Sequence, residues 1–311
     1  MKLNDLKNAW NNYFFQEKPV DGICILRIFF GLLVFSTFFQ DAIFYKDIWS
    51  TSAIQTLEIS LRNYSFPILN IFQYLPNEDW VVKLSIIIMF IALFSFILGL
   101  KTKTSALICF ILLVSFNQRN INMLSSADLL IRIILMYFVF APSGNKYSLD
   151  AYFARKKGRE LASMASPWIH RILQIQIAVV YVSTVIAKSK GHTWVDGSAV
   201  YYATRLTDFE RFPVPIFLDY MWSIKLMTWS TLVLEFALGS LIFIDELRKP
   251  LIILGIFFHL GIEYMMAIPT FEWLMIVCLI GMFKIEEYPV IINKIKERFI
   301  FYKFGNETSN N

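Results

Sequence analysis

Long apolar runs recur along this chain, separated by short polar links. The first, residues 22–40, reads GICILRIFFGLLVFSTFFQ and is long enough to cross a bilayer, which takes about 20 residues of helix. Runs at 80–100 and 104–118 are joined by Lys101-Thr102-Lys103, a link so short that the two helices must be antiparallel neighbours. Further runs cover 127–141, 168–188, 221–243 and 250–268. Pro269 and Thr270 then break the helix before a last, shorter run at 271–284, which is either little tilted or partly re-entrant. The pattern predicts an all-α integral membrane protein with about eight transmembrane helices.

Between and before these runs lie amphipathic stretches. Residues 1–21 carry Leu3, Leu6, Trp10, Tyr13 and Phe14 at helical spacing, with Lys2, Lys7 and Lys18 beside them; this predicts an interfacial helix, not a cleavable signal peptide. Residues 41–79, with Asp41, Asp47, Trp49, Pro67, Pro76 and the aromatic run SFPILNIFQYLP, read as a second surface segment. The most basic loop, KYSLDAYFARKKGRE from Lys146 to Glu160, would set its aromatic side in the interface and its cations among lipid headgroups. The expected organisation is an interfacial helix at 1–21, a transmembrane domain at 22–284 and a short charged tail at 285–311.

Composition supports this and excludes other classes. With 57% hydrophobic and 17% charged residues and a mean hydropathy of +0.54, the chain is too apolar for a soluble globular domain. Its net charge of +5 is spread over short loops, which points to membrane orientation rather than to a nucleic-acid partner. Lysines and arginines concentrate in the segments on the N-terminal side, so both termini are expected in the cytoplasm and residues 188–220 outside. Cys24, Cys109 and Cys278 lie within apolar runs without CxxC spacing, and His170, His192 and His259 occupy different elements without HxxxH or HExxH spacing. Neither a disulfide framework nor a metal site is expected. Gly-rich phosphate loops and fixed-period repeats are absent. The glycosylation triplet Asn306-Glu307-Thr308 is expected on the inner face, where it is accidental.

The polar residues inside apolar runs carry the candidate chemistry. Asp128 and Arg132, four apart, can pair on one helix face. Glu235 lies deep in WSTLVLEFALGSLIF, and His259 and Glu263 share one face of the seventh run. Lys188 directly follows Val185, Ile186 and Ala187 and precedes Lys190, His192, Trp194 and Asp196. A lysine set against hydrocarbon is poorly solvated as an ammonium and can act as a base; equally, a helix-end lysine can snorkel to the interface and only anchor. Both readings stand at this point.

An ordered series of motifs resembles the HTTM domain, the horizontally transferred transmembrane domain shared with vitamin K-dependent gamma-carboxylase. Its centre is LQIQIAVVYVSTVIAKSKGHTWVDGSAVYY from Leu173 to Tyr202, with Gln176, Tyr181, Lys188, Trp194, Asp196 and Gly197 at the family's positions. LRIFFGLLVF with Arg27 and Gly31, the DLL, FAPSG and SLDAYF series from Asp128 to Phe153, TLVLEF with Glu235 and FFHLG with His259 complete it. The resemblance implies that Lys188 deprotonates a reduced vitamin K or menaquinol. Oxygen then adds, and the strong base so produced removes a proton from a substrate carbon that captures carbon dioxide, as a lyase and quinol epoxidase would. It further implies that His259 assists by hydrogen-bonding a quinol oxygen, that Tyr181, Trp194 and Asp196 contact substrate, that Glu235 either contacts substrate or is a buried structural partner of the fold, and that Arg27 is such a structural partner. Ser183-Thr184 stands where the family has a small Ala-Gly pair, and Lys190 is an alternative to Lys188. The chain also ends soon after its last run, without the carboxylase's large outer domain, so a compact bacterial plasma-membrane relative acting on a secreted peptide or small substrate is expected. Two other readings remain: a non-catalytic membrane partner in maturation or export of a secreted peptide toxin, and a small-molecule transporter with a polar path through Arg27, Glu235, His259 and Glu263.

Overall fold

The computed structural model describes residues 3–63 and 69–305. In chain order its helices are α1 (Leu3–Phe15), α2 (Asp21–Ile43), α3 (Tyr45–Ile48), α4 (Leu57–Asn63), α5 (Asp79–Leu98), α6 (Thr102–Arg119), α7 (Ser126–Phe140), α8 (Leu149–Lys156), α9 (Trp168–Lys188), α10 (His192–Asp196), α11 (Ala199–Ala203), α12 (Met221–Ser240), α13 (Asp245–Met265), α14 (Pro269–Ile280) and α15 (Glu287–Gly305). Each predicted apolar run is a helix. Among the described residues, four segments are long and apolar enough to cross a membrane by length and composition: α2, α5, α9 and Met221–Phe243. The last run forms a helix of 12 residues, about 18 Å long at 1.5 Å per residue.

Helix α2 packs against α5, α7 and α14: its Phe30 stacks on Phe138 of α7 at 5.4 Å, while Phe96 of α5 meets the same ring edge-on at 5.3 Å. Large apolar side chains also cover the outside: Ile87, Ile91 and Phe94 on α5, Leu226 and Val233 on α12 and Phe257 on α13 are exposed. Such a surface is matched by lipid rather than water. Arg27, fully buried on α2, is spent on the fold. It donates to the carbonyls of Ser143 and, at 2.5 Å, of Tyr147, pinning the 141–148 loop beneath the α5–α6 link. Asp150 completes that corner by accepting from the amides of Lys101 and Thr102 at 2.8 and 2.9 Å, a carboxylate at the start of α6 where free amides await one.

Several expectations are corrected. The first 21 residues do not form one helix: α1 stops at Phe15, and Lys18–Pro19 (β1) pairs antiparallel with Met164–Ala165 (β2), because Pro19 lacks an N–H and cannot continue a helix. The 285–311 tail is largely α15, anchored where the Tyr288 hydroxyl donates to the Ile280 carbonyl at 2.6 Å. Asp128 does not pair with Arg132. It accepts from Ser125 N and Oγ at 2.9 and 2.7 Å in a capping box, since the first turn of α7 offers it unpaired amides. Part of the aromatic run in 41–79 and the Asn306 triplet lie outside the described residues. The cysteines Cys24, Cys109 and Cys278 are free, with exposures of 0, 0 and 2%.

Candidate functional site

Two close helix contacts bring the buried polar residues to one level. At Gly239 of α12 an added Cβ would lie 3.1 Å from the Ala178 carbonyl and 2.7 Å from Val182 Cγ2 of α9; at Gly255 of α13 it would lie 2.9 Å from Leu279 of α14 and 3.1 Å from Leu238 of α12. Small residues at such crossings let backbones approach closely. As a result Glu235, about 21 Å along α12 from its start, faces α9, α13 and α14 together.

Lys188 is the last residue of α9. Side chains on a helix lean toward its N-terminus, so Lys188 reaches back down the bundle and its Nζ donates to Glu235 Oε1 at 2.6 Å. The lysine side chain is 23% exposed, the glutamate 6%; the pair therefore runs from the rim inward. Trp194 of α10 closes over the rim, its ring centroid 4.6 Å from Lys188 Nζ. Burial of a carboxylate is tolerable here because a cation meets it. Glu235 Oε2, however, is buried without any hydrogen-bond partner.

A second chain of contacts adjoins the first. Tyr181 Oη and His259 Nε2 are 2.8 Å apart, and His259 Nδ1 is 2.6 Å from Glu272 Oε2. Both His259 and Glu272 are almost fully buried, at 4 and 5%. A carboxylate at Nδ1 places the ring proton there, which leaves Nε2 to accept the tyrosine O–H. Glu272 stands in the first turn of α14 just after Pro269, where the helix dipole favours an acid. Glu235 lies within Coulombic range of His259 and Glu272 as well as of Lys188, so the residues form one cluster.

A strap from the irregular 204–220 segment covers the turn between α13 and α14. Ala267 N donates to the Phe209 carbonyl at 2.7 Å, Glu210 bridges to Met266, and Phe212 stacks on Tyr264 at 5.0 Å. Arg211 Nη1 donates to Glu263 Oε1 at 2.6 Å, one turn beyond His259.

Of the residues singled out in the sequence, Lys188, Tyr181, Trp194, Glu235 and His259 come together. Asp196 does not join them: its side chain, 42% exposed, pairs with His192 at 3.1 Å and accepts from Ser198 Oγ and N at 2.6 and 2.8 Å. The Ser198 hydroxyl, its amide and nearby His192 hold the Asp196 carboxyl below the usual carboxylate range. Lys190 is exposed, and Lys188 carries the contacts. Arg27 sits apart, bonded to the 141–148 loop, so the polar path required of a transporter is not assembled through it. Two participants escaped the sequence reading, Glu272 and Arg211. Glu272 gave no distinctive local signal, because it stands in the first turn of α14, where an acid is ordinary. Among the described residues no group of three or more His, Cys, Asp or Glu side chains could hold a metal ion.

The HTTM domain model matches residues 15–286, nearly the whole chain. A curated relative, "Uncharacterized protein YitO" of Bacillus subtilis (strain 168), is 28% identical over 111 residues, covering 33% of this chain and 35% of that protein. The matched stretch thus spans about a third of the relative's length. No solved structure matches.

Proposed function

The chain belongs to the HTTM domain family, and from that premise we propose that it is a membrane enzyme of the gamma-carboxylase type, acting on a lipid-borne quinol with the Lys188–Glu235 pair as the base. The observation that carries this is the pair itself, a lysine and a carboxylate 2.6 Å apart at the rim of an apolar bundle, with one carboxylate oxygen buried and unpartnered. A quinol of the vitamin K or menaquinone class suits these residues. Its hydroxyl is the donor that Glu235 Oε2 lacks, Trp194 offers an aromatic face at the rim, and the apolar flanks accept an isoprenoid tail. The Tyr181–His259–Glu272 chain holds a hydroxyl in fixed orientation beside them.

In a reaction of this type the bound quinol and oxygen supply the strong base: the quinol is oxidised to its epoxide, the oxygen molecule divides between epoxide and water, and carbon dioxide replaces one hydrogen on the substrate carbon. The protein's residues take up the quinol proton, orient its oxygens and keep water from the centre. A secreted peptide or a small molecule is the acceptor, with about eight spans, both termini cytoplasmic and the Lys188 rim facing outward in a bacterial plasma membrane.

The test is mass spectrometry of reduced vitamin K and menaquinol incubated in air with membranes containing the protein. Quinone epoxide is the expected product. If neither quinol gives epoxide above control membranes, the enzymatic reading falls and the role of a non-catalytic maturation partner takes its place.

A further inference from the structure

The Lys188 side of the molecule carries an apolar surface that the candidate site does not use. On α12 the exposed side chains Trp222, Leu226, Trp229, Val233 and Phe236 recur at alternating steps of four and three residues, which makes one stripe down the outside of a helix long enough to span a membrane. That stripe does not stop where the helix starts. Ile216, 77% exposed, Phe217 and Tyr220 lead directly into it and are turned outward like Trp222. The segment is fixed in this attitude. Leu218 among them is fully buried, Arg205 Nη2 donates to the Leu218 carbonyl at 3.0 Å, and the Ser223 hydroxyl donates to the Tyr220 carbonyl at 2.8 Å. Its arginines are neutralised where they stand: Arg205 pairs with Asp219 at 2.9 Å and Arg211 with Glu263 at 2.6 Å. What faces out is aromatic and aliphatic, with the tyrosine and tryptophan side chains that favour a membrane–water boundary.

Depth is limited by the backbone. Around the single 3-10 turn at Ile216–Asp219 the chain is irregular, and irregular backbone cannot face hydrocarbon, where unpaired amides and carbonyls find no partner. Headgroups and interfacial water can supply those partners while the apolar side chains reach the acyl boundary. Independently of the function proposed above, we infer that the 216–222 segment is an interfacial apron, seated at headgroup level in the leaflet on the Lys188 side and continuous with the lipid-facing stripe of α12. The occupant of this surface is lipid, because the stripe it extends is already covered by lipid. The last part of the 188–220 link is then membrane surface, not an aqueous loop.

The test uses the full chain in phosphatidylcholine nanodiscs with one added cysteine, Ile216→Cys or Trp222→Cys, carrying a nitrobenzoxadiazole label. The native thiols are buried, so only the added sulfur reacts, and both positions are exposed, so neither change disturbs packing. At both, emission is expected to shift to the blue of the label in buffer and to resist aqueous iodide. A nitroxide on the lipid headgroup should quench it more than one at mid-acyl chain. Val233→Cys, about 17 Å further along α12 at 1.5 Å per residue, should show the reverse order of the two nitroxides. Water-like emission with free iodide quenching at either position would overturn the inference and make the surface an aqueous docking face. Shielding from iodide without quenching by either lipid nitroxide would overturn it too, since protein would then cover the patch. The Val233 order of quenching at Ile216 would refute the headgroup depth. None of these readings depends on epoxide formation, so the inference and the proposed function stand or fall separately.

Discussion

Removing the Lys188 side chain deletes more than a charge, because it leaves the Glu235 carboxylate buried without its cation. Stranding one member of a buried pair costs roughly 3–5 kcal/mol, whereas replacing both members with apolar groups can be neutral. Lys188→Ala should therefore lower unfolding stability in detergent by that order, and the double variant Lys188→Met, Glu235→Leu should recover most of it. Equal stability of Lys188→Ala and wild type would mean that the pair is solvated. The same logic makes Glu272 a positioning residue. Glu272→Gln should leave the protein folded but release His259 from its tautomer and lower the rate of epoxide formation by roughly 10-fold or more, and Glu272→Asp should restore part of it. Lys188, Glu235 and His259 were legible in the sequence because each interrupts an apolar run or its edge, where a polar group needs a reason; Tyr181 and Trp194 gained their roles only through the family resemblance. Glu272 was not. An acid in a first turn is what any helix start displays, and nothing local reveals that a histidine from another helix waits for it.

At the scale of elements, the crossing of α9 and α12 sets the distance between base and partner. Gly239→Val would press a branched side chain against Val182 and the Ala178 carbonyl; overpacking of this kind costs about 1–3 kcal/mol and should also weaken epoxide formation by parting Lys188 from Glu235. Gly261→Ala is the matched control. Nothing lies within 4 Å of its added Cβ, and alanine is the better helix former by about 1 kcal/mol; a loss of activity there would separate helix rigidity from packing. Near the other end, Lys18 of β1 meets Glu286 at 2.8 Å just before α15. Burial alone would raise the Glu286 carboxyl, but the Lys18 hydrogen bond and charge outweigh it and hold it below its ordinary value. That stabilisation is present above the ordinary carboxylate pKa and is lost as pH falls below it. The melting difference between wild type and Glu286→Gln should accordingly be visible at pH 7 and vanish near the acid end of the carboxylate range. The apolar runs were readable because a continuous hydrophobic stretch is unambiguous. The β1–β2 clasp and α15 were not, since a two-residue ribbon has no period and α15 mixes charged with apolar positions all round.

For the whole molecule the open dimension is sidedness. A cysteine placed at Ser198, between α10 and α11, should react in intact cells with a membrane-impermeant maleimide; labelling only after lysis would reverse the orientation and put the Lys188 rim inside. The native thiols make that experiment simple. Cys24, Cys109 and Cys278 are sealed in helix interfaces at 0, 0 and 2% exposure, so the unmodified chain is chemically silent toward polar thiol reagents. It carries its own blank: any surface position of the folded protein can be addressed one at a time by a single added sulfur, and labelling of the native cysteines becomes a direct reporter that the helices have come apart.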